Sequence, residues 1–260
     1  MGSYKTVLVT GASAGFGKAI SRLLAQHGYM VIAAARRIDK LQDLAAECGA
    51  NVYPLELDVC SESSVASLFE RLPENLRSVD VLINNAGLAL GQDKAQDCDF
   101  SDWQTMVDTN ITGLLRLTHK LLPQMVKRNL GYIINLGSTA GSWPYTGGNV
   151  YGGTKAFVAQ FSRNLRTDLA DTAIKVTVIR PGLCSNTEFS NVRFKGDEAK
   201  VEAVYKDTEA ILPEDIADTV LWLLSGPAHL NINDIEMMPV CQSFGGLSVK
   251  RNLNLKPVSE

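Results

Sequence analysis

Tyr151 and Lys155 stand four residues apart in Tyr151-Gly152-Gly153-Thr154-Lys155. On a helix that spacing puts a phenol and an ammonium on one face. The ammonium field favours the phenolate, so a reference value of about 10 is expected to fall toward working pH. Such a phenol can pass a proton to or from an alcohol oxygen. Ser138 ends an apolar run, Tyr132 to Leu136, that reads as a buried strand. In open α/β sheets ligands sit at that edge, so its hydroxyl is placed to hold a substrate oxygen beside Tyr151. Asn110 lies inside an amphipathic helical stretch, where Asn is a poor former. A polar task follows, such as holding a water next to Lys155. The plain alternatives are a surface Tyr–Lys pair and a capping or exposed Asn.

A second chemistry-bearing stretch is Thr10-Gly11-Ala12-Ser13-Ala14-Gly15-Phe16-Gly17. It follows an apolar β-branched run and opens a helical pattern. Glycines at 11, 15 and 17 let the backbone turn tightly and approach a pyrophosphate, which the helix N-terminus attracts. A ribose-binding acid is expected about 20 residues further on. The chain has Ala35-Arg36-Arg37 there instead. A ribose 2′-hydroxyl needs an acceptor, whereas a 2′-phosphate needs cations of planar, forked geometry. Arg36 and Arg37 therefore favour NADP(H) over NAD(H), the alternative being a solvated helix start.

The elements that must position these groups alternate. Apolar runs at Thr6 to Val9, Met30 to Ala34, Asn51 to Leu57 and Val79 to Ile83 each precede a helical pattern, apart from the last. A long helical stretch covers about Phe100 to Arg128, then come the strand Tyr132 to Leu136, a helix from about Val150 to Ala170 and the strand Lys175 to Ile179. Residues 183–212 are more polar and read as a loop with a short charged helix. A helix from about Glu214 to Ser225 and a strand Asp234 to Met238 finish the pattern. Continuous apolar strands between amphipathic helices imply an α/β fold, a doubly wound parallel sheet covered on both faces. No linker or low-complexity run divides the 260 residues, which read as a single domain.

Composition removes other classes. The net charge is −3 and the pI about 5.7, so no global basic field gathers nucleic acid or an anionic membrane. The N-terminus lacks a signal-peptide core, and the apolar runs fall short of the roughly 18 residues of a membrane span. Five scattered cysteines without a Cys-x-x-Cys pair read as free thiols in a reducing cytoplasm. Three isolated histidines give no metal-ligand spacing, so no metal is expected.

Taken with Leu57-Asp58-Val59, Asn84-Asn85-Ala86-Gly87 and Pro181-Gly182, these motifs resemble the short-chain dehydrogenase/reductase (SDR) family in order and spacing, over nearly the whole chain. The resemblance implies a Rossmann-type, seven-stranded parallel sheet of order 3-2-1-4-5-6-7. It divides the single domain 1–260 into a mainly cofactor-binding part (1–90), a catalytic part (91–182), a substrate loop (183–212) and a closing part with a C-terminal tail (213–260). It implies cofactor contacts from Gly11, Ser13, Gly15, Phe16, Gly17 and Gly87, and from Pro181 and Gly182. It puts Asp58 and Val59 on the adenine, Asn85 on the cofactor floor, Lys155 on the nicotinamide ribose and Thr187 on the nicotinamide amide. Tyr151 becomes the acid/base, Ser138 orients the carbonyl and Asn110 holds a relay water. A homotetramer is implied, in which the helices near 100–128 and 150–170 pair subunits; for residues 244–260 the sequence leaves open a reach over a neighbouring subunit or a disordered tail.

A narrower resemblance concerns the substrate. The stretches 84–91, 137–145, 187–197 and 236–240 look like the NADP-dependent 3-hydroxy acid (serine, allo-threonine) dehydrogenase branch, which also reduces malonic semialdehyde. The expected substrate is a small anionic aldehyde or its hydroxy acid. Ser138, Tyr145, Tyr151, Ser185, Asn186 and Arg193 are its candidate contacts, with Arg193 clamping the acid group. The chain departs from that branch at Leu183-Cys184-Ser185-Asn186, where glycines are expected. Extra donors there suit a tetrahedral sulfonate, so sulfoacetaldehyde reduction to isethionate, as in the similar sulfoacetaldehyde reductases, stands as an alternative. Reduction of bulky lipophilic carbonyls and a non-enzymatic NADP(H) sensor are further readings. The charged residues of 187–207 speak against the first, and the complete catalytic set against the second.

Overall fold

Alternation at period two explains the sheet. In the strand Thr6–Thr10 (β1) Val7 and Val9 enter one apolar cluster while Leu8 enters another, and in Met30–Ala35 (β2) Ala33 and Ile32 divide the same way. Each strand is therefore covered on both faces, as a parallel sheet requires. The computed structural model describes residues 4–245. The other strands are Val52–Glu56 (β3), Val81–Asn84 (β4), Tyr132–Leu136 (β5), Lys175–Pro181 (β6) and Asp234–Met237 (β7). They form one parallel sheet in the order β3-β2-β1-β4-β5-β6-β7, the doubly wound order that the sequence implied.

One face carries the helices Gly15–Gln26 (α1), Ile38–Cys48 (α2) and, later in the chain, Pro213–Ser225, whose Leu24, Leu41 and Val220 are fully buried there. The other carries the short helix Glu62–Ala66 (α3) and two long helices that contribute Leu117, Leu121 and Leu165. The order reverses between β1 and β4, and the chain splits there into a crevice at the strand C-termini.

Two local departures bear on function. The stretch that reads as one helix from Phe100 to Arg128 is three pieces: Phe100–Val107 (α4), a π-helical turn Asp108–Gly113 and Leu114–Arg128 (α5). π-turns concentrate at functional sites, and this one holds Asn110. Next comes Asn149–Asp168 (α6). The polar stretch 183–212 holds two short helices, Phe189–Arg193 (α7) and Glu198–Tyr205 (α8), before Pro213–Ser225 (α9). Most of the C-terminal tail expected at 244–260 lies outside the described residues. Among the described residues no helix is long and apolar enough to cross a membrane, and no group of three His, Cys, Asp or Glu side chains gathers.

Candidate active site

A cavity of about 780 Å³ runs along the strand C-termini, from Arg36 and Arg37 at one end to Tyr151 and Arg193 at the other. That size is ordinary for a ligand pocket.

The Gly turn forms its floor. Gly11 has φ +66°, and a Cβ there would lie 2.9 Å from Asn85 Nδ2. A Cβ on Gly17 would overlap the Gly11 carbonyl oxygen. Gly17 therefore lines no part of the cavity and instead lets α1 start directly beneath the turn. Asn85 sews the turn to β4: its backbone N–H donates to Thr10 Oγ1 at 3.0 Å and its Nδ2 to Thr10 O at 2.7 Å. Gly11, Ser13, Gly15 and Phe16 line the cavity, as do Asp58, Val59, Asn85, Gly87, Pro181, Gly182 and Thr187. Asp58 Oδ1 accepts from Cys60 N–H at 2.9 Å, which fixes this part of the cavity wall.

The residues expected to do acid/base work meet where α6 and the turn after β5 come together, with α7 packed on them. Tyr151 and Lys155 lie one turn apart near the start of α6, 8% and 7% exposed. Lys155 Nζ donates to Leu136 O at 2.8 Å, at the end of β5. An ammonium has three N–H groups, so two remain to meet hydroxyls of a bound molecule. Ser138 caps the turn after β5 by accepting from Ala140 N–H at 3.1 Å. Phe189 of α7 packs on the Tyr151 ring at 5.7 Å between centroids.

The phenol does not behave as the Tyr–Lys spacing suggests. Burial pushes Tyr151 well above the ordinary tyrosine value, while the Ser138 hydroxyl and the Arg193 charge pull it down less strongly. Burial also lowers Lys155 to about 8. Removing both groups from water favours their neutral forms, and this outweighs their mutual field. Burial thus favours the protonated form of the Tyr151 phenol.

Asn110 is also not where a water-holding side chain is expected. It is 2% exposed and lines no part of the cavity. Its Nδ2 donates to Leu88 O at 2.8 Å and Thr154 Oγ1 at 3.0 Å, and its Oδ1 accepts from Leu88 N–H at 2.9 Å. Both amide hydrogens are used, so the side chain cannot donate to a water. It clamps the Gly87-Leu88 turn beside α6: a Cβ on Gly87 would lie 3.1 Å from Asn110 Oδ1 and 3.4 Å from Lys155 Nζ.

Arg193 reaches in from α7. Its Nη2 donates to Tyr145 Oη at 2.8 Å and its Nε to Gly91 O at 3.1 Å, and its Cζ lies 5.9 Å from the Tyr151 ring centroid. Ser185 and Asn186 do not join it. Ser185 N–H is spent on Ile211 O at 3.0 Å, Asn186 takes a left-handed φ of +55°, and neither lines the cavity. Two residues that sequence reasoning passed over matter here. Glu188 pairs with Arg37, and Gln242 Oε1 accepts from Leu183 N–H at 2.6 Å, pinning the turn after β6. Neither carries a motif, because each contact joins parts of the chain far apart in sequence.

Residues 5–198 match the family described as short chain dehydrogenase. The chain belongs to the short-chain dehydrogenase family. It is 56% identical to the NADP-dependent 3-hydroxy acid dehydrogenase YdfG of Escherichia coli (strain K12) over 94% of this chain and 99% of that protein. It is 48% identical to a serine 3-dehydrogenase of Agrobacterium fabrum over 95% and 98% of the two chains. The structure of a closed form of serine dehydrogenase complexed with NADP+ superposes with a TM-score of 0.93 at 55% identity, covering 95% of this chain and 100% of that one. As a short-chain dehydrogenase the chain is an oxidoreductase, with its cavity at the crevice that the family's sheet creates.

Proposed function

We propose that this short-chain dehydrogenase uses NADP(H) to interconvert a small anionic carbonyl compound and its alcohol, as in oxidation of serine or another 3-hydroxy acid and reduction of a malonic semialdehyde-type aldehyde. One observation carries the substrate class: the Arg193 guanidinium stands beside the Tyr151 ring, inside the same cavity, with Tyr145 as a second donor. An acid group on Arg193 and Tyr145 brings a nearby carbonyl to Tyr151. The named relatives act on such acids, which supports the same reading.

The residues fit a dinucleotide. The Gly11–Gly17 turn and the α1 N-terminus offer backbone N–H groups, Arg36 offers a cation, and Lys155 offers two N–H groups to a ribose. When bound, the nicotinamide supplies the hydride chemistry. In reduction, Ser138 orients the carbonyl oxygen and Tyr151 donates its proton as charge develops there. Lys155, anchored on Leu136 O with its Nζ 5.8 Å from the Tyr151 ring centroid, binds sugar hydroxyls. Asn110 acts as a positioning residue that sets Gly87 and Leu88 against Lys155.

Sulfoacetaldehyde remains the second substrate to assay, but the donors that favoured a sulfonate, Ser185 and Asn186, lie off the cavity. The five free thiols fit a cytoplasmic setting, and a homotetramer fits the exposed aromatic side chains discussed below. The test measures NADPH oxidation with malonic semialdehyde, succinic semialdehyde and sulfoacetaldehyde, and NADP+ reduction with serine, 3-hydroxypropionate and isethionate. Arg193→Ala is expected to raise KM for every anionic substrate by about ten- to a hundredfold, the scale of a lost charge-assisted pair. An unchanged KM places the acid group elsewhere.

A further inference from the structure

Arg37, at the N-terminal edge of α2, is tied across the mouth of the cavity to a residue 151 positions away. Its Nη1 and Nη2 donate to Glu188 Oε1 and Oε2 at 3.1 and 2.7 Å. Its Nε and Nη2 also reach Ser13 Oγ at 3.3 and 2.9 Å. These four hydrogen bonds occupy four of the five N–H groups that a guanidinium has. Arg37 is thus largely committed to protein partners. Arg36, exposed and also lining the cavity, takes part in none of the ion pairs among the described residues.

Glu188 sits where the pair has leverage. The preceding residue, Thr187, packs over the Gly turn, since a Cβ on Gly15 would lie 3.2 Å from Thr187 Cβ. The following helix, α7, carries Phe189 on the Tyr151 ring and Arg193 on Gly91. The chain after β6 therefore crosses the dinucleotide crevice. It is fastened at its far side by the two-pronged Arg37–Glu188 pair, whose orientation is fixed by both prongs.

We propose that the two arginines divide their work: Arg36 recognises the 2′-phosphate, whereas Arg37 and Glu188 form a latch that holds the 187–193 segment over the bound dinucleotide and limits its release. The division rests on the NADP(H) reading above. Glu188 is a positioning residue, since it acts through Arg37 and the loop. A latch that ignores the 2′-phosphate slows the release of NADPH and NADH alike. A phosphate contact affects NADPH alone.

Release rates are measured by stopped-flow loss of nucleotide fluorescence on displacement, for NADPH and for NADH. The proteins are the wild type, Arg36→Gln, Arg37→Gln, Glu188→Gln and the double variant Arg37→Gln/Glu188→Gln. Each latch variant is expected to speed release of both nucleotides by the same factor, about three- to fivefold for a half-exposed pair. The double variant is expected to be no faster than either single one, and the wild-type advantage to shrink in high salt. Arg36→Gln is expected to speed NADPH release only. Additive effects, an effect of Glu188→Gln on NADPH alone, unchanged release or slower release all overturn the latch. If the wild type binds neither nucleotide, the cofactor reading itself fails. The latch is then decided by tryptic cleavage after Arg193 and Lys195: faster cutting in Glu188→Gln supports it, and equal rates overturn it.

Discussion

Tyr151 and Lys155 show how far a side chain's chemistry depends on solvent. Their spacing is legible in the sequence and suggests an acidified phenol, yet burial raises the phenol and lowers the ammonium to about 8. A protonated Tyr151 suits carbonyl reduction at neutral pH, whereas oxidation needs the phenolate. Reduction is therefore expected to be flat through neutral pH and oxidation to climb into the alkaline range. Tyr151→Phe is expected to abolish both directions while NADPH titration still shows binding; residual turnover above about one part in a hundred would remove Tyr151 as the acid/base. Lys155 makes a stability prediction as well. Its folded value of about 8 lies below the ordinary lysine value of about 10.4. Between those two pH values the unfolded chain binds a proton that the folded chain does not, so stability contributed by this site rises with pH. Cys184 and Tyr151 are raised by burial and oppose this at alkaline pH, so the wild type must be compared with Lys155→Met. In urea unfolding at successive pH values across that window, the wild type is expected to gain on the variant; a constant difference would mean a solvated ammonium.

At the level of elements, what the sequence displays is what is local. The β1 run, the Gly turn and α1 are contiguous, and each announces itself through side-chain period and glycine spacing. The Gly turn can be tested through Gly17. A Cβ there meets backbone, the Gly11 carbonyl oxygen, which cannot rotate away as a side chain would. Gly17→Ala is expected to cost about 1–3 kcal/mol in urea unfolding, typical of overpacking, and to weaken NADPH binding measured by fluorescence titration. An unperturbed titration would show that the turn gives way without cost. The π-turn around Asn110 was not legible, because its residues fit an ordinary helix and the widening depends on packing against Leu88 and Thr154. Arg37 shows a mixed case. Its place beside the Gly turn follows from strand order, but its partner Glu188 comes from a loop whose path no periodicity records. Ser185 and Asn186 fail for the same reason: proximity in sequence to Pro181-Gly182 says nothing about which side of the loop they occupy.

Across the whole molecule, a net charge of −3 has to coexist with anionic ligands, so positive groups must be concentrated where they bind. Arg36, Lys155 and Arg193 lie along one cavity. Among the described residues, two helices also expose large aromatic side chains. Phe157 on α6 is 36% exposed and stacks on Phe161, which packs into the cluster on one face of the sheet. Trp222 on α9 is 59% exposed, beside Leu221, which packs into the cluster on the opposite face. Aromatic side chains of this kind anchor interfaces between subunits. Two separate patches that each paired with their own copy about a two-fold axis would close into a tetramer with the symmetry of a dimer of dimers. Sedimentation velocity of the wild type is expected to give four chains of 28.2 kDa. Phe157→Asp and Trp222→Asp are each expected to give dimers, because each removes one of the two interfaces and spares the other. Their combination is expected to give monomers. A monomeric wild type, or a tetramer that persists in both single variants, would show that these aromatics face water in solution and that the chain completes its site alone.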